Sequence, residues 1–534
     1  MAMHSYTDKL RWLTSQEGLN GLKSMQRGIE RETLRTTNDG RISLKPHPQA
    51  LGSALCHNSI TTDYSEALLE LITKPCHSIH HCLEELDQLH SFVHRSLDNE
   101  LLWPHSMPPK IQSPNDIPIA DYGSSLTGMM KHVYRRGLEV RYGRTMQSIA
   151  GIHYNVSYGD DFWRPYNTAF YPQFELRECK DTAYFSLIRR FLRDGWILNL
   201  LTGASPICHQ SFTSKDKAAL KQLQPHQDFY YGVNSCSLRM GDLGYHNSAQ
   251  SDLFVCYDSL EQYVHSLSRA LYVTNPDYEA LGLYDQHQQL QQLSTHTLQI
   301  ENEFYSSIRP KQITESLERP TLALERRGVA YIEFRNIDID PLAPSGISAI
   351  TSAMIEIFAT SCLIDDAKLF NKQDRAETPV RHNQVAMYGR DQQQHFVQSA
   401  LLQWTQMADI AQALSNAHGT DLYSQAFQLG LERLRNPDKL PSNQVLQTLI
   451  SNGHQKPQNY VDYCLELARQ HQHFYQEQGL SSERLLTQEN LAQQSLRTQA
   501  SLPDVTQEQL LKTLNTYFED LPAQERWDCA ALTD

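Results

Sequence analysis

Glutamates lodged inside short apolar runs constrain this chain more than any other feature. Ala67-Leu68-Leu69-Glu70-Leu71-Ile72-Thr73 holds one carboxylate among apolar neighbours, and Tyr331-Ile332-Glu333-Phe334-Arg335 sets a carboxylate and a guanidinium around Phe334. In such surroundings a carboxylate must be paired, protonated or bound to a cation. In an extended chain residues i and i+2 share a face, so strands here would be polar on one side and apolar on the other. Within Arg27–Leu34, Glu30 and Glu32 then fall side by side, with Gly28 beside them giving close backbone approach. Within Met146–Ser157, Gln147, His153 and Asn155 share one face, and Met146, Ile152 and Val156 the other. Leu298–Tyr305 adds Glu301 and Glu303 in a fifth such run. Each pattern has an ordinary alternative. Glu30 and Glu32 would also suit an exposed edge strand, and Glu66 and Glu70 the wet face of a helix. A single histidine is often structural, and Glu333 and Arg335 on one face equally make a salt bridge.

Taken together, strands that offer carboxylates and arginines from one face match what a sheet-built Mg-nucleotide site needs. Hard divalent cations take oxygen ligands, arginine suits phosphate, and two or three Mg²⁺ ions would neutralise a triphosphate. No stretch matches G-x-x-x-x-G-K-[ST], G-x-G-x-x-G or H-E-x-x-H, so a P-loop, a dinucleotide fold and a zincin lose their strongest support. A rival metal cluster is His77, His81, His90 and His94, at i, i+4 spacings. Ile79, Leu83, Leu86, Leu89 and Val93 make that stretch an amphipathic helix.

The 534 residues carry 47 Lys and Arg against 61 Asp and Glu, a net charge of −14. That balance argues against general nucleic-acid or anionic-membrane binding. No run approaches the ~20 apolar residues of a membrane span, and the start lacks a signal pattern, so the cytoplasm is the expected compartment. The ten cysteines show no C-x-x-C pair and read as free thiols. Strand patterns at 24–35, 66–73, 145–158, 298–308 and 329–339 alternate with helical ones at 7–20, 78–97, 186–202, 258–273 and 345–372. The expectation is a mixed α+β body over 1–390 and a mainly helical part over 391–534, packed on the same unit. The Gln-rich stretch 284–299 reads as solvated surface.

Several segments together resemble the proteobacterial type of glutamate–cysteine ligase. They are QRGIERETLR, HPQALGSALCHNSITTDYSEALLELIT, WPHSMP, YRRGLEVRYGRTMQSIAGIHYN, GASP, SLRMGDLGY, LQIENEFYSSIRPK and YIEFRNIDIDP, in family order from about residue 21 to 345. The resemblance implies an α+β, glutamine-synthetase-like fold, with a curved antiparallel sheet forming a funnel surrounded by helices. It implies Mg²⁺ (two or three ions, Mn²⁺ as an alternative) held by Glu30, Glu32, Asp63, Glu70, His153 and Glu333. Arg239 and Arg335 match positions that meet phosphate or substrate carboxylate. Tyr134, Ile149, Tyr245 and Tyr305 match the cysteine pocket, with Arg135, Gln147 and Asn155 as further substrate contacts. Glutathione is implied as feedback inhibitor, and a monomer as the working form. Some relatives form a disulfide after about position 370. This chain has no cysteine between 363 and 463, which puts that device in doubt.

The implied reaction joins glutamate to cysteine with ATP through γ-glutamyl phosphate, the first step of glutathione synthesis. Ligation to a different amine, a Mg²⁺-dependent phosphohydrolase and a nucleotide-binding regulatory protein are the competing readings.

Overall fold

The computed structural model describes residues 5–212, 220, 228–244, 253–391, 395–451 and 459–519. Its centre is a seven-stranded antiparallel sheet built around β1 (Gln26–Thr37). One edge of β1 pairs with β3 (Leu68–Ile72), which pairs in turn with β2 (Ile60–Thr62). The other edge pairs with β5 (Ile152–Ser157), and the far end of β1 takes β4 (Glu100–Leu102). Beyond β5 lie β9 (Tyr331–Ile337) and then β8 (Ile308–Lys311). The remaining strands, β6 (Ile207–His209) and β7 (Phe229–Tyr231), form a separate pair.

The two faces of the sheet differ as alternation requires. Ile29, Leu69, Leu71, Ile152, Tyr154, Val156, Ile332 and Phe334 are all buried on one face. Helices Ile79–Ser96, Leu176–Asp194 and Ala349–Leu363 cover that face, so the polar face is left free for a site. The apolar face also carries arginines. Arg27 makes a two-pronged pair with Glu356 of helix Ala349–Leu363 at 2.8 and 2.9 Å, and Tyr154 and Tyr423 donate to the same carboxylate. Tyr423 comes from helix Leu422–Arg435, so the C-terminal helices are tied to the sheet through one buried carboxylate.

Several elements depart from the sequence expectation, each for a local reason. The expected helix 7–20 is two, Tyr6–Leu13 and Gln16–Leu22, because Ser15 caps a new start. The helical pattern 186–202 likewise divides at Gly195 into Leu176–Asp194 and Trp196–Thr202. The expected strand 145–158 begins only at Ile152; Thr145–Ser148 is a 3₁₀ turn. The expected strand 298–308 is a 3₁₀ turn at Glu301–Glu303, with β8 following it. Glu301 there accepts from Thr321 and Tyr517, and Glu303 from Arg141 and Tyr142, so four separate anchors hold the turn. The Gln-rich stretch is not simply surface, since Gln292 and Gln299 are fully buried and hydrogen-bonded. His90 and His94 are buried against the Tyr475 ring, so the rival cluster is core packing. Eight described cysteines are free as expected, whereas Cys256 is disulfide-bonded. No helix among the described residues is long and apolar enough to cross a membrane.

Candidate active site

Strand pairing assembles the polar face. In β1 Glu32 stands opposite Glu70 of β3, and Glu30 opposite His153 of β5. Directly opposed residues of antiparallel strands point to the same side, so four side chains from three segments distant in sequence converge. Asn155 pairs with Glu333 of β9, and Glu333 with Arg309 of β8. Between Ile152 and Tyr154 the β5–β9 register shifts, so Arg335 and Asn336 oppose His153 alone. Such a bulge re-aims a side chain, and here it brings Arg335 Nη1 to 3.4 Å from His153 Nδ1. Gly28 is not a close approach, because a Cβ there would meet Thr73 Oγ1 at an ordinary 3.7 Å.

Two ligand groups result: Glu30, His153 and Glu333, and Glu32, Glu70 and His153, each with donor atoms within 4.8 Å of one another. His153 joins them. Its Nδ1 lies 3.0 Å from Glu30 Oε2 and 3.8 Å from Glu333 Oε1, and its Nε2 lies 3.5 Å from Glu32 Oε1. A neutral imidazole offers one lone pair, so His153 serves one group at a time. Asp63, in the turn between β2 and β3, stands near enough to repel Glu32 and Glu70 without joining either group.

The charges show what the groups lack. Burial, reinforced by Glu30, Asp63 and Glu32, raises the Glu70 carboxyl well above its ordinary range. Among the described residues no cation lies within ion-pair distance of Glu70. Burial also raises Glu32, against the pull of His153. Glu333 is different. Burial opposes its charge, but Lys311 at 3.3 Å and Arg335 at 3.2 Å bring it well below the ordinary value. Glu30 is likewise lowered, because the His153 hydrogen bond and nearby cations outweigh burial. An oxygen-rich set with one imidazole and unneutralised negative charge fits a hard divalent cation.

Beside these groups is a cavity of about 320 Å³. Glu32, His153, Arg309 and Arg335 of the sheet form its floor, with Asp63 and Arg239 at the edge. Helix Leu126–Tyr142 supplies Tyr134, Arg135, Leu138, Arg141 and Tyr142, and the turn after it Met146 and Gln147. Asn302, Glu303 and Tyr305 close another side. Arg239 donates from Nη2 to the Arg335 carbonyl at 2.8 Å and has Asp338 Oδ1 at 3.7 Å from Nη1, which fixes the Arg239 guanidinium against the backbone of β9. Its neighbour is Gly151, where a Cβ would stand 2.1 Å from Arg239 Nη2. The Gly151 N–H donates to Glu32 Oε2 at 2.7 Å, so one glycine ties a ligand to an arginine.

Most of the expected site residues therefore gather on the sheet face or round the cavity. Asn155 donates to Glu30 Oε1 at 3.0 Å, and Arg135 donates to the Asp63 carbonyl. Gln147 reaches the cavity from a 3₁₀ turn rather than from a strand. Ile149 departs from expectation: it is buried in the core and does not line the cavity, whose apolar wall is Leu138 and Met146. Tyr245 lies outside the described residues. Arg141, Tyr142, Arg309 and Lys311 were not anticipated, and Glu303 was expected in a strand rather than a turn. Helical spacing was the available signal for the first two, since Tyr134, Leu138, Arg141 and Tyr142 recur at i, i+4, i+7 and i+8.

Comparison with known proteins points the same way. Residues 10–385 match the family model described as glutamate–cysteine ligase. The glutamate–cysteine ligase of Alcanivorax borkumensis is 40% identical over 97% of this chain and 100% of its own length. That of Hahella chejuensis is 41% identical over 87% of this chain and 90% of its own. The crystal structure of the Francisella tularensis glutamate–cysteine ligase in complex with AMP superposes with a TM-score of 0.85. It is 35% identical and covers 93% of this chain and 98% of that one. On this full-length likeness, the chain belongs to the glutamate–cysteine ligase family.

Proposed function

We propose that the protein joins the γ-carboxylate of L-glutamate to the amine of L-cysteine, using ATP, through γ-glutamyl phosphate. The products are γ-glutamylcysteine, ADP and phosphate, the first step of glutathione biosynthesis. One observation carries this reading: two carboxylate-rich ligand groups, joined through His153, lie beside a cavity lined by Arg239 and Arg335. The polar sheet face turned to that cavity supports the reading of a funnel-shaped, glutamine-synthetase-like sheet.

Glu30, His153 and Glu333 would hold one Mg²⁺, Glu32 and Glu70 another, with Asp63 alongside, and Mn²⁺ suits the same oxygen-rich set. When bound, the ions neutralise triphosphate charge and align the γ-phosphoryl group. Arg335 and Arg239 take up charge on the transferring phosphate, an effect often worth several kcal/mol. The γ-carboxylate attacks the γ-phosphorus and ADP leaves. The neutral cysteine amine then attacks the acyl carbon, and phosphate leaves with its oxygen from glutamate. Burial raises the phenols of Tyr134 and Tyr305, so both stay neutral donors in the pocket. With Gln147, Leu138 and Met146 they frame a small, partly apolar space for a thiol-bearing side chain. Selection against acceptors of similar size should be modest, about tenfold to a few hundredfold.

Every ligand group comes from one chain, which supports a monomeric enzyme, and its substrates are those of the cytoplasm. Residues 1–390 form the catalytic body in this reading, and 391–534 buttress it, as Tyr423 does at Glu356. Glutathione contains the γ-glutamylcysteine unit, so it should compete for the same pocket. The test is ADP release with Mg-ATP, glutamate and cysteine, omitting each in turn, with mass detection of the product. γ-Glutamylcysteine that requires both amino acids supports the reading. ADP without that product, restored by 2-aminobutyrate, alanine or ammonia, would name another amine. No ADP from folded protein would overturn the ligase reading.

A further inference from the structure

On the face of β1 away from the cavity, three arginines recur at i, i+4 and i+8. Arg27, Arg31 and Arg35 are 1%, 2% and 0% exposed. A guanidinium is charged at any physiological pH, so each needs a counter-charge. Arg27 has Glu356. Arg35 has Glu100 at 2.9 and 3.0 Å and three backbone carbonyls besides. Arg31 has neither: among the described residues no carboxylate or carbonyl lies within its reach, and its Nε and Nη1 are buried without a hydrogen-bond partner.

Three histidines stand near it instead. His90 and His94 come from helix Ile79–Ser96, and His471 from helix Tyr460–Gln478, and the charge of Arg31 acts on all three rings. Both ring nitrogens of His90 and Nδ1 of His94 are also buried without partners. Tyr475 stacks on His90 and His94 with ring centres 5.1 and 5.3 Å away, but its hydroxyl is committed to Asp87 at 2.7 Å. Gly346 leaves room for the guanidinium, since a Cβ there would stand 2.9 Å from Arg31 Nε.

We infer that Arg31, His90 and His94 hold a small monovalent anion of the halide class between the sheet and helix Ile79–Ser96, with His471, whose ring hydrogen-bonds the Pro341 backbone, closing the far side. Burial and the neighbouring Arg31 keep the rings uncharged, His94 pushed down to about 3 and His471 to about 4. The cluster therefore carries a single positive charge. A monovalent anion balances it, and a divalent one would leave an excess. Unpartnered guanidinium and imidazole N–H groups are the donors such an ion takes.

The test uses the purified full chain in halide-free gluconate, titrated with bromide at constant ionic strength and followed by thermal unfolding. Anomalous diffraction from bromide-soaked crystals locates the ion. The inference expects a saturable rise in Tm and a bromide peak against Arg31 Nε and Nη1. Arg31→Met should lose both, and His90→Phe should weaken bromide binding about tenfold, a change of one decade in Kd. If Arg31→Met does not fold, His90→Phe and His94→Phe carry the comparison. Ordered water beside Arg31 at saturating bromide, peaks on the surface alone (an adventitious ion only), or a response with no saturation would each overturn it.

Discussion

At the residue scale the site is a balance between burial and charge, and the two carboxylates at its extremes make different predictions. Glu333 sits among Lys311, Arg335 and His153, so it is ionised and placed to bind a cation. Glu333→Gln should lower turnover at least about a hundredfold in a protein that still folds, with some loss of melting temperature because Lys311 and Arg335 lose their partner. A stable variant with near-normal rate would reject its assignment. Glu70 is raised above its ordinary 4.5. Without metal, from about pH 5 upward, the unfolded chain gives up a proton that the native state keeps, so Glu70 makes stability fall as pH rises. Glu30 and Glu333, lowered in the fold, are ionised in both states over that range and add no slope. Hence in EDTA the advantage of Glu70→Gln over the parent should grow between about pH 5 and 7, and added Mg²⁺ should reverse it. Parallel melts of the two proteins would decide; a constant gap would contradict the raised Glu70. Gly151→Ala puts a methyl against Arg239, and should cut kcat about a hundredfold through misplacement. Unchanged kcat would mean that Arg239 takes no part in transfer.

At the scale of elements, strand alternation was the legible part. Glu30, Glu32, Glu70 and Glu333 stood out because a carboxylate amid apolar neighbours needs a reason, and period two put them on one face. What period two could not supply was register. That Glu32 opposes Glu70 and Glu30 opposes His153 depends on pairing between distant segments. Nor did it show where strands stop. Gln147 and Glu303 alternate with their neighbours, yet turns anchored by Gly151, Arg141 and Thr321 replace the strands there. Lys311 was missed for the same reason, since the strand begins at Ile308 rather than ending there. The helices behind the sheet make their own prediction. Glu356 neutralises Arg27 in a fully buried pair, so Glu356→Ala strands a cation and should cost about 3–5 kcal/mol in denaturant unfolding. A loss below about 1 kcal/mol would show that the pair does not hold the helices to the sheet.

At the scale of the whole molecule, one sheet separates two jobs. Its apolar face is locked to helices from both ends of the chain, and its polar face gathers ligands from β1, β3, β5 and β9 beside the cavity. That division accounts for isolated charges inside apolar runs: each run faces a core on one side and a charged substrate on the other. The central claim is that this polar face activates a carboxylate by phosphoryl transfer before an amine attacks. Glutamate labelled with heavy oxygen in its γ-carboxylate tests it most directly. With Mg-ATP and cysteine, phosphate released alongside γ-glutamylcysteine should carry one labelled oxygen per molecule, taken from glutamate. Unlabelled phosphate would mean that water, not the carboxylate, attacks ATP, and would contradict the account.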